Sequence, residues 1–132
     1  MESLRAMLAR LEQLKPEFDA ATVLRAQAVI EELFVNSLQH GARGAALPGQ
    51  EVALAVRRDA DSLWLRYEDP FVAFDPFHDL EAVEAGLRRP PGQRGVGGLG
   101  RLLAGRLADS ARYQRAGDRN RIELRFVPRR NP

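Results

Sequence analysis

Two pairs of short alternating runs, each closed by a tight turn, restrict what this chain can fold into. Residues 51–57 alternate, with Val52, Leu54 and Val56 on one side. After the turn Asp59-Ala60-Asp61, residues 62–68 alternate again, with Leu63, Leu65 and Tyr67 inward, or Trp64 if the register is opposite. Side chains two apart share one face of a strand, so the pair reads as an antiparallel hairpin with one buried face. Residues 111–115 and 121–127 form the second pair, turning at 117–120, with Ile122, Leu124 and Phe126 on one face. Elsewhere the period is helical. Residues 2–14 bring Leu4, Leu8, Leu11 and Leu14 to one face, and Lys15-Pro16 ends that helix. A long second helix runs from an N-cap at Asp19 to Gly41. Residues 79–87 suit a short helix, and 98–109 a last one with Leu99, Leu102, Leu103 and Leu107 apolar. Hairpins imply a mixed, mostly antiparallel sheet, and the helices cover one face of it. The fold class is therefore α+β, a two-layer sandwich, and 132 residues suit a single domain spanning 1–132.

Composition narrows the chemistry. With no cysteine there is no disulfide, thiolate nucleophile or Cys-ligated metal. No apolar run is long enough to span a bilayer, and the N-terminus lacks a secretory h-region, so a cytoplasmic protein without membrane contact is expected. Charge is uneven: residues 1–86 carry 8 basic and 15 acidic side chains, residues 87–132 carry 12 and 3. The basic end suits either internal attraction or a polyanion such as nucleotide phosphates. Direct nucleic-acid binding is disfavoured, because neither an aromatic platform nor a recognition-helix pattern is evident.

Three constellations can carry chemistry. Glu32, Asn36 and His40 recur every fourth residue in AVIEELFVNSLQHG and so share one helix face. The carboxylate can serve as a general base and the carboxamide as a Mg²⁺ ligand. A Glu-Asn-His metal triad is the weaker alternative, since soft-metal sites recruit more His or Cys. The second constellation is YEDPFVAFDP, where Asp69 sits as a strand runs into a loop and can accept a hydrogen bond from an exocyclic amine. The third is GVGGLG at 95–100, directly before a helix and flanked by Arg88, Arg89 and Arg94. Its backbone N–H groups and the helix dipole suit phosphate. It is neither a Rossmann fingerprint nor a Walker A loop. Taken singly, each also has a plain reading: a solvent face, an acidic turn, a flexible linker.

Together and in this order, the three resemble the boxes of the gyrase, chaperone, histidine-kinase and mismatch-repair ATPase superfamily, the Bergerat fold. The likeness is nearest to its small anti-sigma-factor branch and covers about residues 20–127. EELFVNSLQHG is similar to the N box, EDPFVAFDP to the first glycine box, and RGVGGLGRLLAGRLAD to the second. The resemblance implies that Asn36 ligands Mg²⁺ on the phosphates of ATP, that Glu32 is the base for an attacking serine hydroxyl, and that Asp69 binds the adenine amine. Phe74, Arg94, Gly95, Gly97, Gly98, Leu99 and Gly100 would complete the nucleotide site. It further implies an ATP-dependent protein-serine kinase that sequesters a sigma factor and phosphorylates an antagonist protein, and it leaves a homodimer open. A non-catalytic protein-binding module of the same fold is the alternative.

Three positions depart from the family pattern. Phe71 stands where glycine is usual, and its ring is expected either to crowd the adenine edge or to replace a water-mediated contact. The Thr or Ser that helps hold the adenine-binding Asp is missing from the final hairpin, with Asn120 nearby. No strand precedes the first helix, so one sheet edge is expected to be absent or supplied by a partner.

Overall fold

The computed structural model describes residues 3–41, 52–88 and 99–129. Helix α1 (Leu4–Glu12) starts at Ser3, whose side chain accepts the Ala6 N–H, and buries Met7 and Leu11 completely. Helix α2 (Ala20–Asn36) is capped by Asp19, whose carboxylate accepts the Thr22 N–H. It ends in a π-helical turn, Ser37–Gly41. Strands β1 (Ala53–Asp59) and β2 (Ser62–Asp69) form the first hairpin. Helices α3 (Leu80–Leu87) and α4 (Leu99–Leu107) follow, then β3 (Ser110–Ala116) and β4 (Arg119–Phe126). Among the described residues no strand precedes α1.

The sheet order is β1-β2-β4-β3, and every neighbour is antiparallel. Leu63, Leu65 and Tyr67 of β2 lie opposite Phe126, Leu124 and Ile122 of β4, and these six side chains form the floor of the core. The helices cover that face alone, with Val23, Ala26, Val29, Ile30 and Leu33 of α2 resting on it. The expected register of the first hairpin is therefore the observed one. Leu103 departs from expectation: it is 48% exposed, while Leu102, Ala104 and Ala108 turn inward. Arg25 locks α2 to its neighbours, donating to the carbonyls of Leu107 at 3.0 Å and Val127 at 2.7 Å. That clamp fixes the C-terminal end of α4 beside α2.

Candidate functional site

Antiparallel register places Asn120 directly opposite Asp69, with both side chains facing the helices. Asp69 is 5% exposed, and both of its oxygens are engaged. Oδ1 accepts from Asn120 Nδ2 at 2.8 Å and from the Phe71 N–H at 3.1 Å. Oδ2 accepts from the Ser37 hydroxyl at 2.8 Å. Ser37 Oγ also lies 2.7 Å from the Tyr67 hydroxyl. Because the Ser37 hydrogen goes to the carboxylate, the phenol is the donor to Ser37. Burial pushes the Tyr67 phenol well above its ordinary pKa; the Ser37 bond opposes this and the Asp69 charge adds to it. The phenol therefore stays a donor across the physiological range.

Asn120 is also the anchor of the loop that leaves Asp69. Its Nδ2 donates to the Val72 carbonyl at 2.9 Å, and its Oδ1 accepts from Tyr113 Oη at 2.6 Å, Arg115 Nη1 at 3.1 Å and the Phe74 N–H at 3.2 Å. Arg115 adds a bond to the Phe71 carbonyl at 2.7 Å. The missing hydroxyl of the final hairpin is thus made good by a carboxamide. The expectation for Phe71 is corrected as well. The bond from its N–H back to Asp69 is an Asx turn, and the ring joins the hydrophobic core instead of entering the cleft.

The aromatic ring at the cleft is that of Phe74. It stacks on His40 with centroids 4.3 Å apart and planes 8° from parallel, and the Arg101 guanidinium lies 5.9 Å from its centroid. His40 is thereby engaged as a stacking partner at the end of the π-helical turn, a feature often found at functional sites. Leu33, Asn36, Ser37, Asp69, Phe74 and Asn120 line a cleft of only about 10 Å³, room for roughly one water. Asn36, 7% exposed, has a side-chain nitrogen with no hydrogen-bond partner among the described residues. One turn earlier on the same helix, Glu32 meets the start of α4. A Cβ at Gly100 would lie 2.0 Å from Glu32 Oε2, so with the carboxylate where it stands that turn passes over it only as glycine.

A family model described as a histidine kinase-like ATPase domain matches residues 1–126. The chain belongs to the histidine kinase-like ATPase domain family. No curated protein matches the sequence. An ATPase domain implies ATP, with Mg²⁺ as its usual companion, and the residues present suit both. The unpaired Asn36 nitrogen would be satisfied by a phosphate oxygen or a metal-bound water. A flip of the amide would instead offer its oxygen to the cation. Among the described residues there is no cluster of three or more His, Cys, Asp or Glu that could bind a metal unaided. None of their helices is long and apolar enough to cross a membrane.

The sequence-predicted residues of this histidine kinase-like ATPase domain fall into three groups. Asn36, Asp69 and Phe74 line one cleft. Glu32 and Gly100 meet beside it, and Leu99 opens α4. Arg94, Gly95, Gly97 and Gly98 lie outside the described residues, as does most of the loop 88–97. Ser37, Tyr67, Tyr113 and Arg115 were not anticipated as part of the site. Ser37 had a usable signal, since it adjoins Asn36 at the buried edge of the stripe. The others follow only from strand pairing.

Proposed function

We propose that this histidine kinase-like ATPase domain is an ATP-binding anti-sigma regulatory factor of the cytoplasm. In this reading it sequesters a sigma factor and phosphorylates a serine on an antagonist protein. ATP would supply the phosphoryl group and Mg²⁺ would screen its charge. Asp69 orients the adenine amine, Asn36 holds the hydrated cation, and Glu32 takes the proton of the attacking serine. In phosphoryl transfer a protein mainly positions groups and stabilises charge, so these few residues suffice. The observation that carries the reading is the buried Asn36 side-chain nitrogen, without a hydrogen-bond partner among the described residues, in a cleft whose other end is Asp69, held by three donors and with one acceptor site left on Oδ2.

Calorimetric titration with ATP and Mg²⁺ tests it. Binding is expected, weakened about tenfold or more by Asp69→Asn, which turns an acceptor oxygen into a donor against the adenine amine. Glu32→Ala should keep binding and abolish transfer to the antagonist. A second reading, a non-catalytic protein-binding module, is favoured by the tightness of the cleft and the Phe74–His40 stack over it. A wild type silent at millimolar ATP, with Phe74→Ala equally silent, would establish that module and end the kinase reading.

A further inference from the structure

The face of the sheet turned away from the helices carries its own pattern. One row across three strands is Arg57, Trp64 and Arg125, paired in register. The Arg57 guanidinium lies 5.3 Å and that of Arg125 5.8 Å from the Trp64 ring centroid. Arg125 Nε donates to Ser62 Oγ at 3.1 Å, and both guanidinia carry further N–H groups, in the fork geometry that can grip a carboxylate with two bonds. Neighbouring charges on this face are already matched: Arg66 pairs with Glu123 at 3.1 Å, and Glu68 is held by Arg119 at 3.0 Å and Arg121 at 2.9 Å. Arg57, Arg112 and Arg125 have no carboxylate partner among the described residues. Beside Trp64, the small side chain of Ala55 leaves a groove of about 250 Å³ between Arg57 and Arg66.

We propose that this outer face docks an acidic segment of a partner protein, with an apolar side chain seated over Ala55 against Trp64 and flanking carboxylates on Arg57 and Arg125. Excess arginine asks for an anionic partner. Two observations favour a peptide over a nucleic acid. Trp64 is the one aromatic residue on the outer positions of the four strands, so there is no platform for successive bases. Glu123 in the groove wall and Glu68 nearby would repel a continuous phosphate backbone, whereas discrete carboxylates can avoid them. This surface lies across the sheet from the nucleotide cleft and does not depend on it.

Trp64 is the only tryptophan in the chain, so its fluorescence reports on this groove directly. The whole protein is titrated with a synthetic peptide of repeated Asp-Glu-Leu, a Lys-Lys-Leu counterpart and oligo(dT). A saturable emission change is expected with the acidic peptide alone, weakening as salt rises. Arg57→Glu and, separately, Arg125→Glu should each weaken binding about tenfold. Both side chains are exposed, and circular dichroism of each variant confirms its fold. No saturable change with the acidic peptide overturns the proposal, as does wild-type affinity in both folded variants. Tighter binding of oligo(dT) than of the acidic peptide also overturns it and reassigns the face to nucleic acid.

Discussion

The two ends of the cleft are built on opposite terms. At the sheet end, Asp69 accepts three hydrogen bonds, from Ser37, Asn120 and the Phe71 backbone, and keeps one acceptor site on Oδ2. At the helix end, Asn36 is buried with a donor that has no partner among the described residues. A buried, satisfied group stabilises its surroundings, while an unsatisfied one costs about 1–3 kcal/mol until something binds. The sheet end is thus a braced scaffold, and the helix end carries a buried polar group that the described residues do not brace. Stability and function should therefore separate between them: substitutions at the first damage both, and substitutions at the second damage function alone.

The largest effect is expected at Asp69. Asp69→Ala strands the Ser37 hydroxyl, the Asn120 amide and the Phe71 N–H at once, and should lower unfolding stability in urea by on the order of 3 kcal/mol. Asn36→Leu should behave differently. The side chains share one branched skeleton, and relief of the unpaired donor offsets the crowding by the bulkier methyls, so stability should change by less than ~1 kcal/mol while Mg²⁺-dependent ATP binding is lost. A clear loss of stability in Asn36→Leu would break the contrast, because it would mean that the amide is already paired in the folded protein.

Gly100→Ala comes next. The clash is with the end of a flexible carboxylate, which can swing aside, so the stability loss should stay below about 1 kcal/mol. The same swing moves Glu32 from its place at the head of α4. Phosphoryl transfer should therefore fall much more than ATP affinity, which sets this position beside Asn36 and apart from Asp69.

Much of this was legible in the sequence, and the remainder was hidden for a physical reason. Asn36 and Asp69 stand out because local rules place them: a four-residue helical repeat and a strand running into Pro70. Asn120 was assigned to the turn 117–120, whereas the hairpin turns on Gly117 and Asp118 alone, Gly117 taking φ 61°. That moves Asn120 into β4 and opposite Asp69, 51 residues away. Register between distant strands is decided by how two hydrophobic faces match, and no local window contains both. Phe71 was misjudged likewise, since its direction depends on the Asx turn that Asp69 makes. In α1 the buried stripe centres on Met7 and Leu11, with Leu8 only partly covered, because the packing angle on α2 selects which flank of an amphipathic helix is covered.

The smallest effect sharpens the contrast from the residue next door. Glu68 points to the outer face, where burial raises its pKa, but hydrogen bonds from Arg121 and then Arg119 outweigh this and hold it below the usual 4.5. A carboxyl whose folded pKa is depressed contributes stability above its unfolded pKa, and that contribution is lost as pH falls through the folded value. Wild-type stability in urea should therefore decline below about pH 4.5, and Glu68→Gln should remove part of that decline. The part removed should be under ~1 kcal/mol, because solvent screens both arginines. Among the described residues no cation bonds to Asp69: its donors are a hydroxyl, an amide and a backbone N–H. Raising salt should accordingly shrink the Glu68 contribution and leave the larger Asp69→Ala penalty nearly unchanged. Equal salt sensitivity of the two would mean that the cleft carboxylate depends on charge, as its surface neighbour does, and not on fixed neutral donors.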